Sequence, residues 1–186
     1  IIERIKTMFR TTIAALAVIF IASSAQASDK NLYLETQIGT TVKADDGRDN
    51  SNIMGLAIGK YLPGRPVRVE LAGVHATSGD DTPLGEVEVD SLLAGVYYDI
   101  GTYSKFTPFV GLNAGYGWAD GLGVSSVDEQ GLIYGAGVGV SYAASSNIDL
   151  ITRYQYLTSS AISVTNDSGL DDWDSQAFTV GVRIGF

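Results

Sequence analysis

Bulky apolar residues occupy every second position over long stretches of this chain, and small or polar residues occupy the positions between them. The last residues show the pattern most clearly: Phe178, Val180, Val182, Ile184 and Phe186 alternate with Ala177, Thr179, Gly181, Arg183 and Gly185. Successive side chains of a β-strand point to opposite faces. A period of two therefore predicts strands with one bulky apolar face and one small or polar face.

Such segments recur along the chain after residue 28. We predict strands over residues 31–42, 52–62, 67–75, 86–100, 106–119, 132–143, 148–157 and 176–186. The fourth segment alternates least regularly, and we assign Leu92, Ala94, Val96 and Tyr98 to its apolar face. Each segment is long enough to cross a bilayer as a tilted strand, which takes ~9–11 residues.

The connections between these segments alternate in length. Long connections are predicted over 43–51, 76–85, 120–131 and 158–174, and short ones over 63–66, 101–105 and 144–147. Short turns at one end and long loops at the other are typical of up-and-down barrels in outer membranes. We therefore predict an all-β fold, an eight-stranded antiparallel up-and-down transmembrane barrel. Because the unpaired backbone groups of an open sheet edge are costly in lipid, the last strand is expected to pair with the first.

A soluble β-sandwich would show similar alternation, but two features argue against it. The small or polar faces combine many glycines with six charged residues: Glu35, Arg68, Glu70, Asp149, Arg153 and Arg183. Tyrosines and a tryptophan also gather near segment ends, as aromatic girdles do at membrane interfaces: Tyr33, Tyr61, Tyr97, Tyr98, Tyr103, Trp118, Tyr154 and Tyr156. Both features suit a narrow barrel in a membrane.

The charged residues on the small faces allow two interpretations. They line an open pore, or they form ion pairs inside a filled barrel. Eight strands leave an interior just wide enough for side chains to fill it, and an unpaired buried charge is costly. We therefore predict a structural network of paired charges, with a small solute-passing porin as the alternative.

The N-terminus differs from the rest of the chain. Lys6 and Arg10 precede an apolar run over 13–22, and Ala25-Gln26-Ala27 follows. This arrangement predicts a signal peptide over residues 1–27 and a barrel domain over 28–186. A transmembrane helix needs ~20 apolar residues, and this run is much shorter. Met8 is the expected natural start, with residues 1–7 upstream of it.

Composition excludes several functions. The net charge of -9, from 12 basic and 21 acidic residues, argues against a nucleic-acid partner. The absence of cysteine excludes disulfides and thiolate metal sites. Glycine pairs separated by one residue lie within strand patterns and do not open a helix, so they do not predict a nucleotide loop. We expect no cofactor, no metal site and no catalytic residues.

His75 is the single histidine, and an enzyme that removes acyl chains from lipid A would need one beside a nucleophile and an acid. Ser78 and Asp80 are close in sequence. However, Ser78 is three positions away, so a strand places it on the opposite face from His75. We therefore interpret this stretch as a strand end leading into a loop, and a lipid-modifying enzyme is the least favoured function.

The long connections are acidic and contain Asp45, Asp46, Asp49, Asp80, Asp81, Asp128, Glu129, Asp167, Asp171, Asp172 and Asp174. Their spacing does not match an EF-hand loop. We interpret them as solvated charges, with divalent-cation bridging to lipopolysaccharide as the alternative. Trp173 lies among the acids of the longest connection, where an exposed aromatic side chain suggests a contact with a partner or the membrane.

Three stretches resemble a known family: LLAGVYYDIGTYSKFTPFVGLNAGYG, YGAGVGVSYAASSNIDLITRYQY and AFTVGVRIGF. They are similar to small outer-membrane β-barrel proteins of Gram-negative bacteria, the opacity family porins and OmpA- and OmpX-like barrels. The resemblance implies an outer-membrane location and a non-enzymatic protein that anchors exposed loops for surface interaction, adhesion and envelope integrity.

The resemblance also implies partners. These are outer-membrane lipids and lipopolysaccharide, periplasmic chaperones, the outer-membrane assembly machinery, and a host or surface ligand for the loops. The alternating residues Phe178, Val180, Val182, Ile184 and Phe186 resemble the C-terminal signal that this machinery recognises.

Overall fold

The computed structural model describes residues 31–43, 52–78, 86–122, 128–166 and 169–186. Eight strands lie in these ranges: β1 Leu32–Lys43, β2 Asn52–Tyr61, β3 Val67–Ser78, β4 Glu86–Asp99, β5 Phe106–Leu122, β6 Asp128–Ala143, β7 Ile148–Asn166 and β8 Gly169–Gly185. Within the same ranges, no helix combines the length and apolar character that a membrane span requires. The expected signal peptide, residues 1–27, lies outside the described residues.

The strands form a closed barrel in which each strand pairs with its neighbours in chain order, and β8 pairs with β1. All pairs are antiparallel. Across the closing pair, Tyr33 lies opposite Gly185 and Thr40 lies opposite Phe178. Closure gives backbone N–H and C=O groups partners around the whole circumference, which hydrocarbon demands. The predicted fold class and the predicted closing pair are confirmed.

The last hairpin is longer than the alternation indicated. β7 and β8 pair as far as Asn166 opposite Gly169, with an irregular register between Ser159 and Ser163. The prediction of a loop over 158–174 was therefore wrong. Apolar alternation ends where side chains leave hydrocarbon, whereas backbone pairing needs no apolar side chain and continues. Trp173 consequently belongs to β8, opposite Ser159, while its side chain lies outside the described part.

The outer face of the barrel is apolar. Leu112 is 69 % exposed and Val96 is 55 % exposed, and both lie on strands whose neighbouring positions are buried. The predicted outward face of β4 is confirmed, since Leu92, Val96 and Tyr98 are exposed while Leu93 and Tyr97 are buried. So large an apolar surface is unfavourable in water but is well solvated by lipid.

The interior contains two layers. In outer-membrane barrels the short turns face the periplasm, and the half of the interior nearest to these turns holds the buried charges. The other half contains the buried serines Ser91, Ser159 and Ser175 and an apolar cluster. The cluster consists of Ile53, Ala57, Ala72, Val74, Val89, Leu93, Ile133, Leu157 and Ala177. The alternation of residues predicted the charged layer but not the apolar one.

Three tyrosines assigned to the aromatic girdle lie inside. Tyr33 and Tyr97 are buried, and the Tyr61 ring packs against the Tyr33 ring with centroids 5.2 Å apart. The assignment of these three tyrosines to the girdle was wrong, because closeness to a strand end does not define the face. Residue parity does: Tyr33 lies two positions from the buried Glu35.

Glycines on the inner face make room for the buried rings. A Cβ on Gly111 would overlap the Tyr97 ring, and a Cβ on Gly59 would overlap the Tyr33 ring. The two glycines lie directly opposite these tyrosines on the neighbouring strands. The abundance of glycine on the small faces thus reflects the close approach of large side chains inside a narrow barrel.

Candidate functional site

Glu35 lies at the centre of the charged layer and is fully buried. Its Oε1 accepts a hydrogen bond from Nη2 of Arg153 at 2.7 Å. Its Oε2 accepts two from Arg183, from Nη2 at 2.7 Å and from Nε at 3.0 Å. Arg183 lies directly opposite Glu35 on β8, whereas Arg153 reaches it from β7. One carboxylate therefore joins three strands where the barrel closes.

Glu70 is the second buried carboxylate. The Tyr33 hydroxyl donates to its Oε1 at 2.8 Å, and Nε of Arg68 donates to the same atom at 3.4 Å. Arg153 Nη2 also contacts Glu70 Oε2, at 3.4 Å, so this arginine bridges both carboxylates. Such shared charge-assisted bonds offset the desolvation of the ions only when most donors and acceptors are matched.

Two aspartates lie at the end of this layer that faces the short turns. Asp99 accepts a hydrogen bond from Arg68 Nη1 at 2.7 Å. Asp149 is 3.9 Å from Arg183 Nη1, and its side chain is 28 % exposed. Of the six charges taken from the sequence, Asp149 is thus the most loosely held. Asp99 was missed because, as the last residue of β4, it resembled a turn residue, although it shares parity with Tyr97.

Aromatic rings stack on the arginines. The Arg68 guanidinium carbon lies 4.5 Å from the Tyr97 ring centroid and 4.4 Å from that of Phe109. Arg183 lies 4.6 Å from the Tyr33 ring centroid. Desolvated cation–π contacts of this kind stabilise buried guanidinium groups. This role of Tyr33 and Tyr97 was not predicted, because their closeness to strand ends suggested the membrane interface.

A second polar cluster faces outward at the opposite end of the barrel. His75 Nδ1 lies 2.7 Å from Asp90 Oδ1, and Thr77 Oγ1 lies 3.1 Å from His75 Nε2. Closeness in sequence had suggested only Ser78 and Asp80 as partners of His75. The Ser78 side chain and Asp80 lie outside the described residues, and the described partners are Asp90 and Thr77.

Metal binding finds no support in the part of the chain that the structure describes, where no three His, Asp or Glu side chains are grouped to hold an ion. Several of the acids expected in the long connections, including Asp45, Asp46, Asp80, Asp81 and Asp167, fall outside the described residues.

The alternating C-terminal residues Phe178 to Ile184 lie on β8, next to β1, and Phe186 directly follows the last residue of that strand. Phe178, Val180 and Val182 are exposed on the outer face. At the end of the chain, the Phe186 N–H donates to the Leu32 carbonyl oxygen at 3.0 Å. The proposed assembly signal is thus also the strand that closes the barrel.

The protein-family model for the outer membrane protein β-barrel domain matches residues 11–186 of this chain. The chain belongs to this family. The closed eight-stranded barrel, with its apolar outer face, lies in the outer membrane. A curated relative, outer membrane protein PagN of Salmonella typhimurium, is 26 % identical over 95 residues, which cover 44 % of this chain and 39 % of PagN. The chain thus spans about two fifths of the length of that relative.

Solved structures share the fold. Neisserial surface protein A superposes with a TM-score of 0.69 at 20 % identity, over 87 % of this chain and 100 % of that one. The attachment invasion locus protein Ail of Yersinia pestis superposes with a TM-score of 0.55 at 20 % identity, over 84 % of this chain and 99 % of that one. At these identities the similarity concerns the fold alone.

Proposed function

We propose that this protein is a membrane anchor that presents its outer connections for surface interaction and adhesion, and that it contributes to envelope integrity. The observation that carries the proposal is the filled interior. Glu35, Arg153 and Arg183 occupy one half of it, and apolar side chains such as Ile133 and Leu157 occupy the other. A barrel filled in this way supports loops, and anchoring itself requires no catalytic step.

The charge of the connections indicates which ligands they accept. Ail has been crystallised with the heparin analogue sucrose octasulfate. In this chain, residues 44–51 contain Asp45, Asp46 and Asp49, and residues 79–85 contain Asp80 and Asp81. These acids repel sulfate groups, so we propose a cationic or uncharged surface ligand. Lipopolysaccharide phosphates would contact these acids only through divalent cations.

Trp173 is the residue we propose for contact with that ligand. It follows Asp171 and Asp172 in β8, beyond the membrane-facing part of that strand. Tryptophan combines a large apolar ring with one N–H donor and is enriched at binding hot spots. In an acidic hairpin that contacts only water, an exposed tryptophan ring would be unfavourable.

The test compares adhesion of a deletion strain carrying the wild-type gene, Trp173→Ala or Trp118→Ala. Trp118 is the matched control, because its ring faces outward beside Tyr116 at the membrane boundary. We expect the wild type and Trp118→Ala to restore adhesion to host cells, and Trp173→Ala to fail. Bacteria that carry the wild-type gene should not bind heparin-coated surfaces, because the acidic connections repel sulfate groups. Equal adhesion of the deletion and complemented strains would refute the anchoring proposal.

A further inference from the structure

In the outward polar cluster, Asp90, His75 and Thr77 form a chain of hydrogen bonds like the one that activates a hydroxyl nucleophile. A carboxylate only accepts hydrogen bonds, so His75 Nδ1 carries the proton that is shared with Asp90 at 2.7 Å. In the neutral ring, Nε2 then has a free electron pair and accepts from the Thr77 hydroxyl at 3.1 Å. Nucleophile, base and orienting acid within hydrogen-bond reach define the arrangement used in acyl transfer.

Strand register brings these groups together. His75 and Thr77 are two positions apart on β3, on the face opposite the buried Val74. Asp90 lies opposite His75 on β4, and Asn52 lies opposite Thr77 on β2. Directly opposed residues in an antiparallel pair have Cβ atoms only ~4.5–5.5 Å apart. Asn52 is therefore the neighbour of Thr77 across the β2–β3 pair, within a distance from which its amide can donate to a developing oxyanion.

The position of the cluster in the membrane indicates the substrate. Asp90 lies opposite Trp118 on β5, and the Trp118 and Tyr116 rings pack with centroids 5.5 Å apart. Aromatic rings on the outer face mark the boundary between hydrocarbon and headgroups. Leu71, closer to the short turns, is exposed to hydrocarbon. The ester linkages that join acyl chains to lipid headgroups lie at this same boundary.

We propose that Thr77, His75, Asp90 and Asn52 form a hydrolytic site for acyl esters of outer-leaflet lipids. This inference goes beyond the proposed anchoring function and departs from our expectation of a non-enzyme. The sequence argument against a site at His75 rested on Ser78, which lies an odd number of positions from His75. Thr77 lies two positions from His75, on the same face of β3, and the acid, Asp90, comes from the neighbouring strand β4.

The chemistry needs only water as co-reactant. Thr77 Oγ1 attacks the ester carbonyl carbon while its proton moves to His75 Nε2, and Asn52 donates to the oxyanion. The intermediate collapses by breaking the bond from the carbonyl carbon to the alcohol oxygen, which takes the proton from His75. Water then attacks the acyl-threonine, passes a proton to His75, and releases a fatty acid as the Thr77 oxygen regains its proton. Asp90 acts as a positioning residue that orients the imidazole.

The test uses the full-length folded protein in detergent micelles with two substrates, a diacyl phospholipid and lipid A. Released fatty acid and the mass of the remaining lipid are measured by mass spectrometry. We expect release from at least one substrate, and the productive one identifies the lipid. A fluorophosphonate probe should label Thr77, as mapped by peptide mass.

Single substitutions distinguish a catalytic site from a cluster of polar side chains that only lies at the membrane boundary. Thr77→Val and His75→Ala should reduce release to the protein-free rate and abolish labelling. Asn52→Ala should lower kcat by roughly 10²–10³-fold, as loss of one oxyanion donor does elsewhere. Thr152→Val is the control, since Thr152 is also exposed on the outer face but lies far from the cluster in strand register. Heat modifiability confirms that each variant is folded.

Two results would overturn the proposal. One is the absence of fatty-acid release from both lipids by the folded wild type. The other is a folded Thr77→Val variant that retains the wild-type rate. Either result would leave the anchoring function unaffected, because adhesion is measured in a separate experiment with different variants.

Discussion

Arg183 and Glu35 face each other across the junction of β8 and β1, joined by two hydrogen bonds of 2.7 and 3.0 Å inside the barrel. The same carboxylate holds Arg153 from β7. Backbone hydrogen bonds between β8 and β1 close the sheet, and this side-chain contact adds a buried link where the last strand meets the first.

Replacing Glu35 with alanine should destabilise the barrel strongly, because two buried guanidinium groups lose a carboxylate. Removing one partner of a buried ion pair costs ~3–5 kcal/mol. Urea unfolding in lipid vesicles, followed by tryptophan fluorescence, measures the loss. Asp149→Asn is the control, since Asp149 is partly exposed and 3.9 Å from Arg183, and its effect should stay below ~1 kcal/mol. Equal effects of the two substitutions would contradict the central role of Glu35.

The Glu35–Arg183 contact should also appear as a coupling energy. Replacing both residues with methionine should cost less than the sum of the single replacements, since neither charge is then left alone. Contacting charges typically show interaction energies of roughly 0.5–3 kcal/mol. A double-mutant cycle from the same urea titrations measures this quantity, and strict additivity would argue against the contact.

Gly111→Ala should impair barrel formation, because the added methyl group overlaps the Tyr97 ring. Tyr97 is held by a 2.7 Å hydrogen bond to Asn113 and by the stacked Arg68, so its ring has little freedom to move. Gly137→Ala is the matched control on the next strand, where the nearest atom to a new Cβ is 3.4 Å away. The folded fraction on unheated gels should fall for Gly111→Ala and remain unchanged for Gly137→Ala.

The filled interior predicts that the purified barrel does not form an ion channel. In planar bilayers the wild type should show no reproducible discrete openings, whereas a large porin in the same apparatus conducts. Stable unitary currents from the wild type would favour the porin alternative and would require the charged layer to rearrange.

Adding a lysine after Phe186 should reduce insertion into the outer membrane. The Phe186 N–H bonds to the Leu32 carbonyl, so this residue forms part of the closing pair, and we propose that its side chain is read by the assembly machinery. Ser146→Lys adds the same charge at an exposed short turn and serves as the control. Normal insertion of the extended chain would show that the assembly machinery tolerates a charge directly after Phe186.

The alternation of residues determined most of the architecture. Parity assigns Phe178, Val180 and Val182 to the lipid side and Arg183 to the interior, because a strand has two faces and only one of them contacts lipid. The requirement that backbone groups be paired in hydrocarbon then favours a closed barrel. The end of β7 and the start of β8 could not be read from this pattern, since their pairing continues past the apolar alternation.

Only the tertiary structure decided which inward residues meet. Glu35 and Arg153 are separated by 118 positions, and their contact depends on strand register and on the curvature of the closed sheet. For the same reason, the contact between His75 and Asp90, 15 positions apart, could not be predicted from the sequence. Residue parity specifies the face of the sheet on which a side chain lies. A contact between strands also requires that the two residues lie at the same level along the barrel axis. The register of backbone pairing sets that level.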